Sequence, residues 1–176
     1  MRFVPTPPTP FQEAYARFFP PIRAKCRRLL GSSADAEEVA QEAFVRLWQA
    51  GTSGPELGHD SDVRTVMAWL YRTCTRLAID ALRRRLRSPR PEPASDSEDR
   101  LPCAVALEDS MAARSAILAL HARVPGEELE AVILCRVDGL AHAEAAEVLD
   151  VSERTVRRLL ERFDAGAARW RKEFTS

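Results

Sequence analysis

Apolar residues recur along this chain with the three-and-four spacing of helices. Strict apolar–polar alternation is absent, and so are hairpin dipeptides between such runs. The pattern predicts an all-α protein. Phe11 to Leu30 is helix-rich, with Pro20-Pro21 expected to break or kink it. A second helix is expected to start near Asp35, with Asp35 as N-cap and Glu38 three residues on, as in a capping box. At about 100° per residue, Ala36, Val39, Ala40, Ala43, Phe44 and Leu47 share one face of it. Glu38, Gln41, Glu42, Val45 and Gln49 share the other. That second face reads either as an ordinary solvated surface or as a docking face for a basic partner helix.

The segment from Arg64 to Arg87 combines two patterns. Val66, Met67, Leu70, Cys74, Leu77, Ala78 and Ala81 form one apolar stripe. Trp69, Arg72, Arg76, Asp80, Arg83 and Arg87 fall on the far side, with Tyr71 at the edge between them. Seven Arg stand here against one Asp. Such a row suits a polyanion, because the guanidinium groups neutralise phosphates and an exposed aromatic can stack on an unpaired base. The plainer alternative is a surface helix whose indole packs against a neighbouring element.

Gly139 to Phe163 predicts a helix-turn-helix. Ala145, Ala146 and Leu149 face inward on a short first helix. "DVS" makes the turn, with Val151 as its apolar plug and Ser152 as N-cap. In the following helix Val156, Leu159, Leu160 and Phe163 point inward, and Arg154, Arg157, Arg158 and Glu161 point outward. An Arg-bearing second helix suits the major groove, where Arg pairs with guanine through two hydrogen bonds. Paired helices with surface Arg also occur in proteins that never touch DNA.

Charge sharpens this division. The 176 residues are neutral overall, yet residues 1–87 hold 14 basic against 9 acidic side chains. Residues 88–110 hold 2 against 6, and residues 111–176 hold 10 against 11. "SPRPEPASDSEDRLP", Ser88 to Pro102, has four Pro, three Ser and no aromatic residue, so it reads as a flexible acidic linker. The expected organisation is a Pro-rich tail over 1–10, a helical domain over 11–87, the linker over 88–108 and a helix-turn-helix domain over 109–176. Gly51 to Asp62 reads as a loop.

No apolar run approaches a membrane span, so no membrane insertion is expected. "MRFVPTPPTP" lacks the apolar stretch of a signal peptide, which points to the cytoplasm. Cys26, Cys74, Cys103 and Cys135 lack metal-ligand spacing and read as small buried thiols. A zinc site built from distant cysteines stays open as an alternative. No nucleophile–base grouping, Gly-rich phosphate loop or carboxylate cluster is visible. His59, His121 and His142 are scattered. Catalytic residues, a resident metal and a cofactor are therefore not expected, and the chain does not read as an enzyme.

"DAEEVAQEAFVRLW", "AWLYRTCTRLAIDALRRR", an acidic linker and "GLAHAEAAEVLDVSERTVRRLL", in that order, resemble a bacterial extracytoplasmic-function sigma factor of the sigma-70 family. The resemblance covers nearly the whole chain beyond the tail. It implies that the chain directs core RNA polymerase to promoters and assists melting. It assigns Glu38, Gln41 and Glu42 to binding the polymerase clamp helices. It assigns Trp69, Tyr71, Arg72, Arg76, Arg83 and Arg87 to the minus-ten element, and Ser152, Arg154, Thr155, Arg157 and Arg158 to the minus-thirty-five element. It also implies an anti-sigma partner. The chain departs from the family pattern at Arg76, where Asn is usual, and at Asp150, where Gly is usual. It also carries Glu127, Glu128 and Glu130 in a stretch where the family often has Arg. Two other readings stay open: a sigma-like DNA-binding regulator that no longer initiates transcription, and a helical protein-interaction module.

Overall fold

The computed structural model describes residues 10–50, 62–87 and 124–173, with side chains described to residue 85 in the second stretch and to residue 169 in the third. The described residues form helices joined by short turns. They are α1 (Pro10–Leu30), α2 (Ser33–Ala50), α3 (Val63–Arg87), α4 (Gly126–Val132, prolonged by a wider π-helical turn, Ile133–Val137), α5 (His142–Leu149) and α6 (Glu153–Glu173). The acidic linker, the expected loop at 51–61 and the Pro-rich tail short of Pro10 lie outside the described residues.

α1 runs through Pro20 and Pro21 without the expected break. Each proline removes a backbone donor, which leaves the carbonyls of Ala16 and Arg17 without an intrahelical partner. Both carbonyls belong to exposed residues, where water can satisfy them. The helix is meanwhile held on its other side by buried Phe18, Ile22, Cys26, Leu29 and Leu30. Tertiary packing thus outweighs a local cost of about 3 kcal/mol per proline. Gly31 then closes the helix in the left-handed conformation (φ 73°), its N–H donating to the Arg27 carbonyl at 2.8 Å. α2 begins two residues earlier than expected. Ser32, not Asp35, is its cap: the Ser32 hydroxyl oxygen accepts the Asp35 N–H at 3.2 Å. Asp35 sits in the first turn, where its carboxylate lies 3.5 Å from Arg85.

α1, α2 and α3 pack on one another. All six residues expected on the inner face of α2 are buried, as are Val66, Leu70, Cys74, Leu77 and Ala78 of α3. Phe11, Tyr15, Phe19 and Phe44 form an aromatic cluster between α1 and α2, with the Tyr15 and Phe19 rings stacked at 4.6 Å. Cys26 and Cys74 are buried as expected. Their side chains are hydrogen-bonded, which lowers the Cys26 thiol pKa, whereas burial pushes that of Cys74 well up. Cys135 is half-buried.

The second unit packs α4 and α5 against α6 around Leu129, Ile133, Leu134, Ala145, Val156, Leu159 and Phe163. Asp150 makes the helix-turn-helix turn in the left-handed region (φ 58°, ψ 49°). A short polar side chain tolerates that conformation better than most non-glycine residues. Val151 is 39% exposed and does not plug the turn. Leu149, two residues earlier, takes the buried position.

The two units share one apolar core, because α3 packs against α4 and α5 as well as α1 and α2. Thr75, Ile79 and Leu82 of α3 are buried although the apolar stripe omits them. They lie on the wheel between Arg64 and Arg76, the residues of α3 that reach the second unit. Burying Ile79 and Leu82 contributes about 1.5–3 kcal/mol each.

Candidate nucleic-acid interface

Three faces carry the expected site residues, and they differ in how open they are. On α2, Glu38 and Gln41 are exposed and Glu42 is half-buried. The Gln41 amide donates to Glu37 at 3.2 Å, and Glu42 accepts from Arg46 at 2.8 Å. These ties run along the helix itself, so no other described element covers the face. Val45 and Trp48 extend it with apolar surface, Trp48 being 66% exposed with its ring edge-on to Phe11 at 5.2 Å. The sequence pattern does not single out Trp48. Its only signal is one turn's distance from Phe44, which also fits a core position.

The basic face of α3 is partly covered. Trp69 is half-buried and packs against the core instead of standing clear on the polar side. The reason is the second buried strip of α3: with apolar packing on two sides, little of the helix circumference remains for water. Arg72 is half-buried too, and its Nε is enclosed without a hydrogen-bond partner among the described residues. Arg83 is half-buried, 3.8 Å from Asp80. Arg76 is exposed but committed: its Nε donates to both carboxylate oxygens of Glu130 on α4, at 3.0 and 3.1 Å. The Arg87 side chain lies outside the described residues.

Tyr71 faces a charged junction between the units. Lys25 of α1 ion-pairs with Asp138, which comes directly after the π-helical turn, and both side chains are only 1% exposed. Arg28 adds a second cation to the same carboxylate at 2.5 Å. The Lys25 ammonium stands 5.0 Å above the Tyr71 ring. Burial first, and then the Asp138 carboxylate, pushes the Tyr71 hydroxyl pKa up. At the rim of the same boundary, Arg64 donates to both carboxylate oxygens of Glu147 at 2.9 Å.

On α6 the expected arrangement is open. Ser152 caps the helix, its hydroxyl oxygen accepting the Thr155 N–H at 3.1 Å. The Thr155 hydroxyl lies 2.8 Å from the Ser152 hydroxyl. Arg154, Arg157 and Arg158 are all exposed, while Val156, Leu159, Leu160 and Phe163 are buried behind them. Arg157 pairs with Glu153 one turn back. Arg136 and Arg162 fasten α6 to α4 through Arg136–Asp164 and Arg162–Glu128, both at 2.8 Å. The helix therefore presents its basic side from a braced frame.

Comparison with known proteins agrees with this layout. Residues 14–88 match the family Sigma-70 region 2, and residues 114–162 match Sigma-70, region 4. The chain is 32% identical over 140 residues to the ECF RNA polymerase sigma factor SigE of Mycolicibacterium smegmatis, covering 77% of this chain and 51% of that protein. It is 33% identical over 145 residues to SigJ of Mycobacterium tuberculosis, covering 77% and 43%. The chain thus spans about half the length of these two curated relatives. With SigW of Bacillus subtilis it shares 31% identity over 157 residues, covering 78% of this chain and 75% of SigW. Among solved structures the fold resembles CnrH in complex with the cytosolic domain of CnrY, with a TM-score of 0.51 at 21% identity over 93% of this chain and 88% of that one. It also resembles the sigma factor RpoE of Bartonella quintana in complex with the anti-sigma factor NepR, with a TM-score of 0.50 at 18% identity over 89% and 92%. Two sigma-70 regions in the right order, and a relative matched over three quarters of its length, leave one conclusion: the chain belongs to the family of ECF RNA polymerase sigma factors.

Proposed function

We propose that the chain is a promoter-specificity subunit, which binds core RNA polymerase, directs it to a two-part promoter and assists strand opening. The observation that carries this reading is the capped helix α6, with Arg154, Arg157 and Arg158 on its open side and a fully apolar inner side. An α-helix of this kind fits the major groove, and its Arg side chains match the paired acceptors of guanine. In this reading the α2 face with Glu38, Gln41 and Glu42 meets polymerase. Trp69, Tyr71, Arg72, Arg76, Arg83 and Arg87 of α3 meet the minus-ten element, and Ser152 and Thr155 position the end of α6 on DNA. The organisation expected for 11–87 and 109–176 is part of this proposal.

The role is one of binding, not catalysis, and its place is the cytoplasm, where polymerase and promoter are. No described helix is long and apolar enough to cross a membrane, which is compatible with that place. RpoE of Bartonella quintana is in complex with an anti-sigma factor, and a comparable protein partner is proposed for this chain. The test is transcription in vitro from genomic fragments by core polymerase, with and without the protein. New start sites that depend on the protein support the proposal. Tight core binding without any new start site would instead describe a sigma-like regulator that does not initiate.

A further inference from the structure

The face of α3 that the proposed function assigns to DNA is occupied by the chain itself. Glu130 sits against Arg76 with both carboxylate oxygens near one Nε, the position a phosphate oxygen would take. Carboxylate and phosphate are the two anions that guanidinium recognises in this way. Arg76 stands where the family usually has Asn, and Glu130 lies in a stretch where it often has Arg. Two departures 54 residues apart thus meet each other in space.

Three charge contacts cross between the units, and they form a line. Arg64–Glu147 is exposed, Arg76–Glu130 is part-buried with Glu130 11% exposed, and Lys25–Asp138–Arg28 is closed off from solvent at the first pair. Between them lie Thr75, Ile79 and Leu82. Such a boundary suits reversible closure. A buried ion pair specifies geometry strongly but adds little net free energy, because charges regain their hydration on separation. A wholly apolar boundary of the same size would resist opening far more.

We propose that α4 and α5 form a removable cover over the basic side of α3, latched by Glu130, Asp138 and Glu147, with Glu130 acting as an internal stand-in for DNA phosphate at Arg76. This inference rests on the reading of α3 as the minus-ten helix. The closed chain binds DNA weakly through α3 until the latch yields. Open and closed states share one equilibrium, so any ligand that needs Arg76 is held back by the fraction of chain that is closed.

The test uses the full chain. Glu130→Gln with Asp138→Asn removes two latch anions and keeps side-chain size. Small-angle scattering measures the radius of gyration, and fluorescence anisotropy measures binding to a labelled single-stranded DNA of mixed sequence. The expected result is a larger radius and about ten-fold tighter DNA binding, with helical circular dichroism retained. Glu147→Gln touches no buried group and should shift both readings the same way by a smaller amount, which keeps the test valid if the double variant is poorly folded. Exchanging the pair, Arg76→Glu with Glu130→Arg, should return the compact radius. An unchanged radius in both latch variants overturns the cover, whatever the DNA does. Expansion with unchanged DNA affinity overturns its inhibitory role while leaving the proposed function standing. If neither wild type nor variant binds the DNA, the minus-ten reading of α3 fails and the inference falls with it.

Discussion

α2 and α3 belong to the same three-helix unit, have similar buried stripes, and present their outer faces in opposite states. The outer face of α2 is acidic, tied only to itself, and ends in an exposed Trp48. That of α3 is basic, and its exposed cation Arg76 is already held by an acid from the other unit. One helix is ready for a partner as it stands, and the other must first be uncovered. Charge explains the asymmetry. α4 carries Glu127, Glu128 and Glu130 within its first turns, so it is attracted to the α3 side and repelled from the α2 side. Binding through α2 should therefore behave as a single step, and binding through α3 as a competition.

The largest effect should come from breaking the open side. Glu38→Lys with Glu42→Lys is expected to abolish copurification with core polymerase. The fold should survive, because the Glu42–Arg46 contact is an exposed i,i+4 pair worth only about 0.3–0.5 kcal/mol. Circular dichroism beside the pull-down checks both statements. The same loss should occur in a chain that also carries Glu130→Gln, since the cover does not reach α2; partial rescue by that change would erase the distinction.

Next comes α6, also open. Replacing Arg154, Arg157 and Arg158 together by Ala should cut binding to an upstream-element duplex by about a hundred-fold or more, at about 1–3 kcal/mol for each base-reading Arg. Titrations at several salt concentrations separate the roles. An Arg that touches only phosphate loses affinity on every sequence and makes the salt slope shallower.

Trp69→Ala tests the covered side and should act later in the pathway. Stacking of an unpaired base on an indole contributes about 1–3 kcal/mol, so strand opening should fall about five- to hundred-fold while closed-complex binding stays nearly intact. Permanganate reactivity of unpaired thymines, beside filter binding of the closed complex, reads the two steps. Trp69 is half-buried, so the variant should also unfold at a lower temperature. Normal opening with that lowered melting point would assign the indole to the core alone.

The smallest effect concerns neither binding step directly. Ser152→Ala removes the cap of α6 and should cost about 1 kcal/mol, seen as a drop of a few degrees in Tm. Binding to the duplex should weaken only as far as the first turn of α6 frays.

The helices and their faces were legible because each reflects local spacing. The inner face of α2, the first stripe of α3 and the outward Arg of α6 all arise from residues three and four apart. The illegible features depend on distant partners. Arg76–Glu130 and Lys25–Asp138 join residues 54 and 113 positions apart, and no local pattern marks them. The second buried strip of α3 escaped for the same reason: Thr75, Ile79 and Leu82 look like the ordinary margin of an amphipathic helix until another unit lies over them. Pro20-Pro21 misled because a local rule was overruled by packing. Asp35 misled because Ser32 offered an equally good cap three residues earlier. Val151 misled because an apolar residue in a turn was assigned to the interior when the buried place beside it belonged to Leu149.

The π-helical turn at the end of α4 has a consequence for how this protein can change over time. Its wide loop is closed by the Asp138 N–H donating to the Ile133 carbonyl at 2.9 Å, five residues back. Such a turn holds one residue more than an ordinary helix would. The phase of α5 and α6 therefore depends on chain length here, not on side-chain identity. Deleting one residue between 133 and 137 would restore regular helix and rotate both later helices by about 100°. Asp138 would leave Lys25, Arg136 would leave Asp164, and α6 would be aimed at a different strip of DNA. Substitutions in this stretch can be absorbed one at a time, whereas a change of length re-sights the whole reading head at once.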